Sequence, residues 1–119
     1  MDIDELITLI DGKLLTQKVE NAVKIENVYI CDLLSWVMSH AQKGDAWITV
    51  LTNVNVPAVA MMTDVACVII PEGIDVEELT LRKANENEIT IISSKYSAFE
   101  ICNRIIKSNG FLDNSSLLI

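Results

Sequence analysis

From Ala46 to Ile70 the chain reads AWITVLTNVNVPAVAMMTDVACVII. Two short apolar runs, AWITVL at its start and CVII at its end, flank a stretch that can turn helical at Pro57, a residue tolerated in the first turn of a helix. Neither run alternates polar with apolar, so each is expected to be a strand covered on both faces. Asp64 is the only charged residue from Ala46 to Pro71, which makes this stretch the centre of the core. A strand, a helix and a second two-face-buried strand within 25 residues is a βαβ unit, and it sets the class of the whole fold.

The same alternation continues outward. On the N-terminal side, KIENVYI (24–30) is β-branched and aromatic and reads as a strand. Asp32 can cap the helix LLSWVMSHAQ, whose Leu33, Leu34, Val37, Met38 and Ala41 form one apolar face. Gly44 stands where a helix stop is expected. Further upstream, residues 2–10 form a short amphipathic helix with acids in its first turn, and Lys13 to Thr16 form a short strand. Residues 17–23 are polar and turn-like. On the C-terminal side, residues 75–87 form a polar helix with Val76, Leu79 and Ala84 as its buried stripe, and EITII (88–92) is the last strand. Tyr96 to Ser108 is a helix that offers Phe99, Ile101, Cys102, Ile105 and Ile106 to the core, with Gly110 as its stop. The order is helix, strand, strand, helix, strand, helix, strand, helix, strand, helix. It predicts an α/β three-layer sandwich around a mainly parallel five-stranded sheet. One domain over residues 1–110 and a C-terminal tail over 111–119 account for the chain.

Composition narrows the function classes. The chain has 119 residues, 50% of them hydrophobic, with a formal charge of -8 and a mean hydropathy of +0.34. Apolar content this high excludes a disordered chain, and no apolar run reaches the ~20 residues of a membrane span. The acidic balance, with no Lys/Arg cluster, argues against nucleic acid as a partner. The acidic N-terminus, MDIDELITLIDGK, is unlike a signal peptide and predicts a cytoplasmic protein. Cys31, Cys67 and Cys102 are widely spaced, form no CxxC and are joined by one histidine, His40, so no metal site and no resident cofactor are expected.

Three stretches carry a resemblance. Tyr29-Ile30-Cys31-Asp32-Leu33-Leu34-Ser35, running into Val37-Met38, resembles the strand-to-helix signature of the DRTGG domain family. Gly44-Asp45-Ala46-Trp47-Ile48-Thr49, with the loop Thr52 to Asn55 and Ala58-Val59-Ala60, resembles the next, and Ser97-Ala98-Phe99-Glu100 a third. The similarity runs from about residue 3 to about residue 107. The Asp-Arg and Gly-Gly that name the family would fall near Ala22-Val23 and Asn27-Val28 and are absent from this chain. The resemblance implies a fold like the N-terminal domain of HPr kinase/phosphorylase. It also implies a regulatory or assembly module, often dimeric, found beside CBS domains in pyrophosphatases or alone near iron hydrogenase components. A phosphate-cradling GxxxxGK[ST] is missing from this sequence.

Ligands of open parallel sheets bind outside the carboxyl ends of the strands. The candidates there are Cys31, Asp32 and Ser35; Thr52, Asn53 and Asn55; and Ser93, Ser94 and Ser97. If their strands are neighbours, these loops form one shallow pocket for a small anion, such as an adenine nucleotide effector. The plainer reading is that Asp32, Asn55 and Ser94 cap helices. Asp64 is expected to end its helix on the surface, and His40 to complement the end of its own. Met61 and Met62 with Trp36 and Trp47 can form an apolar patch, although core packing is the plainer reading of such residues; the candidates for a subunit interface are Met61, Met62 and the tail Leu117, Leu118 and Ile119. The sequence thus predicts a non-catalytic regulatory or ligand-sensing module acting through homodimerisation and a partner enzyme. The alternative is a ligand-independent scaffold or assembly factor. A small hydrolase or phosphotransferase is disfavoured, because residues 46–71 supply no acid–base pair.

Overall fold

The computed structural model describes residues 1–108. Its elements are α1 (Ile3–Leu9), β1 (Lys13–Leu14), β2 (Asn27–Ile30), α2 (Leu34–His40), β3 (Asp45–Ile48), α3 (Asn55–Thr63), β4 (Cys67–Ile70), α4 (Glu78–Glu86), β5 (Ile91–Ser93) and α5 (Ala98–Lys107). The order expected from the sequence is the order found, with shorter elements. The tail and Gly110 lie outside the described residues.

The sheet order is β1-β5-β4-β3-β2. Strands β2 to β5 are parallel, and β1 joins β5 antiparallel, which makes the sheet mixed rather than purely parallel. Each crossover from β2 to β5 steps one strand in the same direction, so right-handed connections put α2, α3 and α4 on one face. Those three helices pack in sequence, while α1 packs on α5. Every residue of β3 and β4 is buried, and alternate residues feed two cores. Ala46, Ile48, Cys67, Ile69 and Ile92 join Leu6, Ile10, Ile101 and Ile105 on one side. Trp47, Val68, Ile70 and Ile91 join Val37, Val56, Val59 and Ala84 on the other.

Several side chains expected in the core are exposed. Leu33 is 61% exposed and Met38 47%, because α2 is two turns long and buries only Val37 fully. Leu79 is exposed, and Thr80 takes the buried place on α4, donating to Thr52 O at 2.7 Å. Phe99 is 78% exposed and Ile106 50%, since Ile101 and Ile105 alone face the sheet fully. Trp47 is fully buried and cannot share an interface patch with the exposed Trp36. Gly44 does not cap α2, which ends on Ala41; at φ +87° it turns the chain into β3. Asp64 ends α3 on the surface in the left-handed conformation, as expected.

Arg104 fastens the ends of the domain. Its Nε donates to Glu100 Oε1 at 2.9 Å, its guanidinium lies 4.0 Å from the centre of the Tyr96 ring, and Nη1 donates to Leu9 O at 3.3 Å.

Burial pushes the Cys67 thiol up from 9.0 to about 12. The unfolded thiol ionises from about pH 8.5–9, whereas the native one keeps its proton well above that. Stability from this group is therefore complete below pH 9 and falls at about 1.4 kcal/mol per pH unit between the two values. Urea midpoints measured across pH 8 to 11 should show this decline, and the Cys67→Ala protein should lack that part of it. A thiol reagent at pH 8 should leave Cys67 unmodified until the chain is unfolded.

Candidate functional site

The carboxyl ends of the parallel strands carry all nine predicted ligand residues, in two separate groups. Cys31, Asp32 and Ser35 follow β2, and Thr52, Asn53 and Asn55 follow β3, its direct neighbour. Ser93 ends β5, Ser94 and Ser97 follow it, and β4 with its loop stands between them and the rest. A single pocket lined by all three loops does not form from this strand order.

The first group is organised by Asp32. Its Oδ1 accepts from Thr49 Oγ1 at 2.7 Å and from the Val50 N–H at 2.9 Å, tying the β2 loop to the end of β3. Asp32 therefore does not cap α2, whose N-cap Leu33 has no side-chain bond. Asn55 does not cap α3 either: it is the first helical residue, and its N–H donates to Asn53 Oδ1 at 2.9 Å. Trp47 Nε1 donates to Cys31 O at 2.9 Å, so a buried indole holds the β2 loop from below. Partial burial raises the Tyr29 hydroxyl above its usual range, and the neighbouring Cys31 thiol adds to the shift.

The second group is a structural staple. Ser94 is buried; its Oγ donates to Ile10 O at 2.8 Å and accepts from the Tyr96 N–H at 3.2 Å. Capping of α5 falls to Ser97, which accepts from the Glu100 N–H. The loop after β4 is tied to this one by Glu72 N–H to Tyr96 O and Gly73 N–H to Ser94 O, both 2.9 Å.

Around the first group lies apolar surface that periodicity did not assign to a site. Ile30, Leu33, Trp36 and Val50 are 50%, 61%, 53% and 45% exposed. Trp36 stacks on His40 with ring centres 3.9 Å apart, and His40 Nδ1 is bonded to Trp36 O at 2.9 Å. The signal available in the sequence was a tryptophan directly beside a core position, Val37, on a short helix. Met61 and Met62 are also exposed, on α3.

The opposite end of the sheet has clefts of about 320 and 270 Å³ that share Val19, Glu20, Glu88 and Ile89. Asn21, Asp64 and Glu88, all at positive φ, meet at the smaller one, and Ala22-Val23 line its wall. Among the described residues, no three His, Cys, Asp or Glu side chains are grouped to hold a metal, and no helix is long and apolar enough to cross a membrane.

Removing Asp32 strands two donors. Asp32→Ala should cost about 1–2 kcal/mol in urea denaturation, and Asp32→Asn, which keeps an acceptor, should recover most of it. Equal losses for the two variants would show that the tie to Thr49 and Val50 contributes nothing.

The chain matches the DRTGG domain family over residues 5–108. No curated protein matches it. Among solved structures it is similar to the CBS and DRTGG domains of the regulatory region of a Clostridium perfringens pyrophosphatase, complexed with the activator diadenosine tetraphosphate. The TM-score is 0.75 at 17% identity, over 89% of this chain and 46% of that one. At that identity the likeness speaks for the fold, and the chain spans a little under half of the pyrophosphatase region. With the family matched over nearly all of its described residues and the fold matched independently, the chain belongs to the DRTGG domain family.

Proposed function

We propose that this domain is a non-catalytic regulatory module that works by protein contact, first with a second copy of itself and then with a partner enzyme. The observation that carries the reading is the exposed apolar surface of the β2–α2 corner: Ile30, Leu33 and Trp36 within seven residues, each at least half exposed. Isolated exposed aliphatics are ordinary, but an exposed tryptophan with two large neighbours is the composition of a contact surface. The regulatory setting of the structural neighbour supports the same class of role. Met61 and Met62 are a second candidate surface, on α3.

An adenine nucleotide effector is a second reading, favoured by the activator bound to the neighbour. In this chain it would be held by the β2 and β3 loops alone. Asp32 keeps one carboxylate oxygen outside its bonds to Thr49 and Val50 and suits a ribose hydroxyl better than a phosphate. Asn53, Asn55 and the start of α3 are the part suited to phosphate. Ser93, Ser94 and Ser97 have no part in it.

Light scattering on purified protein should give twice the 13.2 kDa chain mass, and Trp36→Asp should move it toward 13.2 kDa without lowering the melting temperature by more than a few degrees. A native monomer at every concentration would remove self-association from the proposal. Adenine nucleotides should raise the melting temperature, and Asn55→Ala should abolish the rise. No rise with any nucleotide leaves the ligand-independent scaffold as the function.

A further inference from the structure

We propose that the cleft between the starts of β4 and β5 binds a small polyamine, a flexible aliphatic chain carrying two or more ammonium groups. The site lies at the opposite end of the sheet from the β2 and β3 loops and depends on neither the self-association nor the nucleotide reading.

Thr90 is the starting observation. Six polar or charged residues are buried among those described. Thr16, Asp45, Thr49, Thr80 and Ser94 each use a side-chain oxygen in a hydrogen bond within the domain. Thr90 is only 6% exposed, and its hydroxyl makes no such bond to any described residue. A buried hydroxyl without a partner costs free energy unless something outside the fold bonds it. No fully enclosed side-chain oxygen among the described residues lacks a partner, so the Thr90 hydroxyl is open to the cleft that it lines. That cleft holds about 270 Å³, and a hollow of about 120 Å³ meets it at Val19, Ala22 and Thr90.

The charge along the cleft sets the ligand class. Glu20, Asp64 and Glu88 line it, and no lysine or arginine does. Among the described residues none of these three carboxylates is in an ion pair, and residues 109–119 contain no Lys, Arg or His. An anionic ligand would be repelled here. A metal ion fits poorly as well, because no three acidic, His or Cys side chains among the described residues are grouped to hold one. Carboxylates that share a cleft without meeting at one point match a cation whose charges are spaced along a chain. The same cleft offers Val19, Met61 and Ile89, apolar surface on which the methylenes between ammonium groups can lie. One ammonium would donate to the Thr90 hydroxyl, and the others would pair with the carboxylates.

The test is calorimetric titration of spermidine into the full chain at about 0.15 M salt, where diffuse attraction to its acidic surface is largely screened. The expected result is one spermidine per chain. Thr90→Val keeps the shape of the side chain and removes no bond within the domain, and it should weaken binding about fivefold. The pair Asp64→Asn with Glu88→Gln should weaken it at least about tenfold; asparagine suits the left-handed backbone at Asp64. The pair Glu72→Gln with Glu77→Gln removes the same charge outside the cleft and should change binding less than about twofold. Absence of spermidine binding overturns the proposal, as does full affinity in Thr90→Val. Equal losses for the two pairs overturn it too, by showing attraction to the net charge alone. So does displacement of spermidine by magnesium at matched ionic strength, which would make the carboxylates a simple cation cluster. Should a cleft variant unfold, amide NMR shifts of the native chain decide: spermidine should move Asn21, Asp64, Glu88 and Thr90, and shifts confined elsewhere overturn the site.

Discussion

The architecture depends on one constraint: β3 and β4 have no face that water can reach. All eight of their residues are buried, so both sides of the sheet must be roofed by helices. The connections α2, α3 and α4 are committed to one side by the handedness of the crossovers, and the other side is left to the two terminal helices. α1 and α5 cover it from opposite ends of the sequence. Short helices on a five-stranded sheet leave its β2 corner thinly covered, and the exposed apolar residues gather there.

That winding also shapes where a ligand could sit. A doubly wound sheet reverses direction and opens a crevice at the reversal. Here β2 to β5 advance without reversal, with α2, α3 and α4 on one face, and after β5 the chain passes to the other face in α5. At that point the loops after β4 and β5 are joined by backbone hydrogen bonds and by Ser94. The place where a crevice is expected is thus filled by the protein's own bonds, and the open loops are those after β2 and β3.

The fold was legible because AWITVL and CVII are apolar in both phases of a strand, a pattern that only a sheet covered on both sides explains. The site was less so. Asp32 stands where a cap belongs, and nothing local distinguishes a carboxylate that caps its own helix from one that reaches the next strand; the register of β2 with β3 decides. Ser94 and Ser97 show the same ambiguity, resolved by the burial of one and the extended backbone of the other. Phe99 and Leu33 read as core because periodicity counts apolar residues and does not know how far a helix overhangs its sheet. Strand order was the remaining unknown: it separates the β5 loop from the other two, and no single sequence states it.

The bonds around Arg104 have a consequence for the order in which the chain is made and folds. Leu9 accepts from Arg104, Ile10 from Ser94, and β1 pairs only with β5. Met1 pairs with Ile25 nearby, but Leu9, Ile10 and β1 find their hydrogen-bond partners in the last quarter of the described chain. Contacts this distant in sequence are slow to close. Without β5 and α5, the face that α1 and α5 share is only partly covered, because Ile92, Ile101 and Ile105 complete the cluster that Leu6 and Ile10 form with β3 and β4. Closing this face therefore joins segments from opposite ends of the described chain.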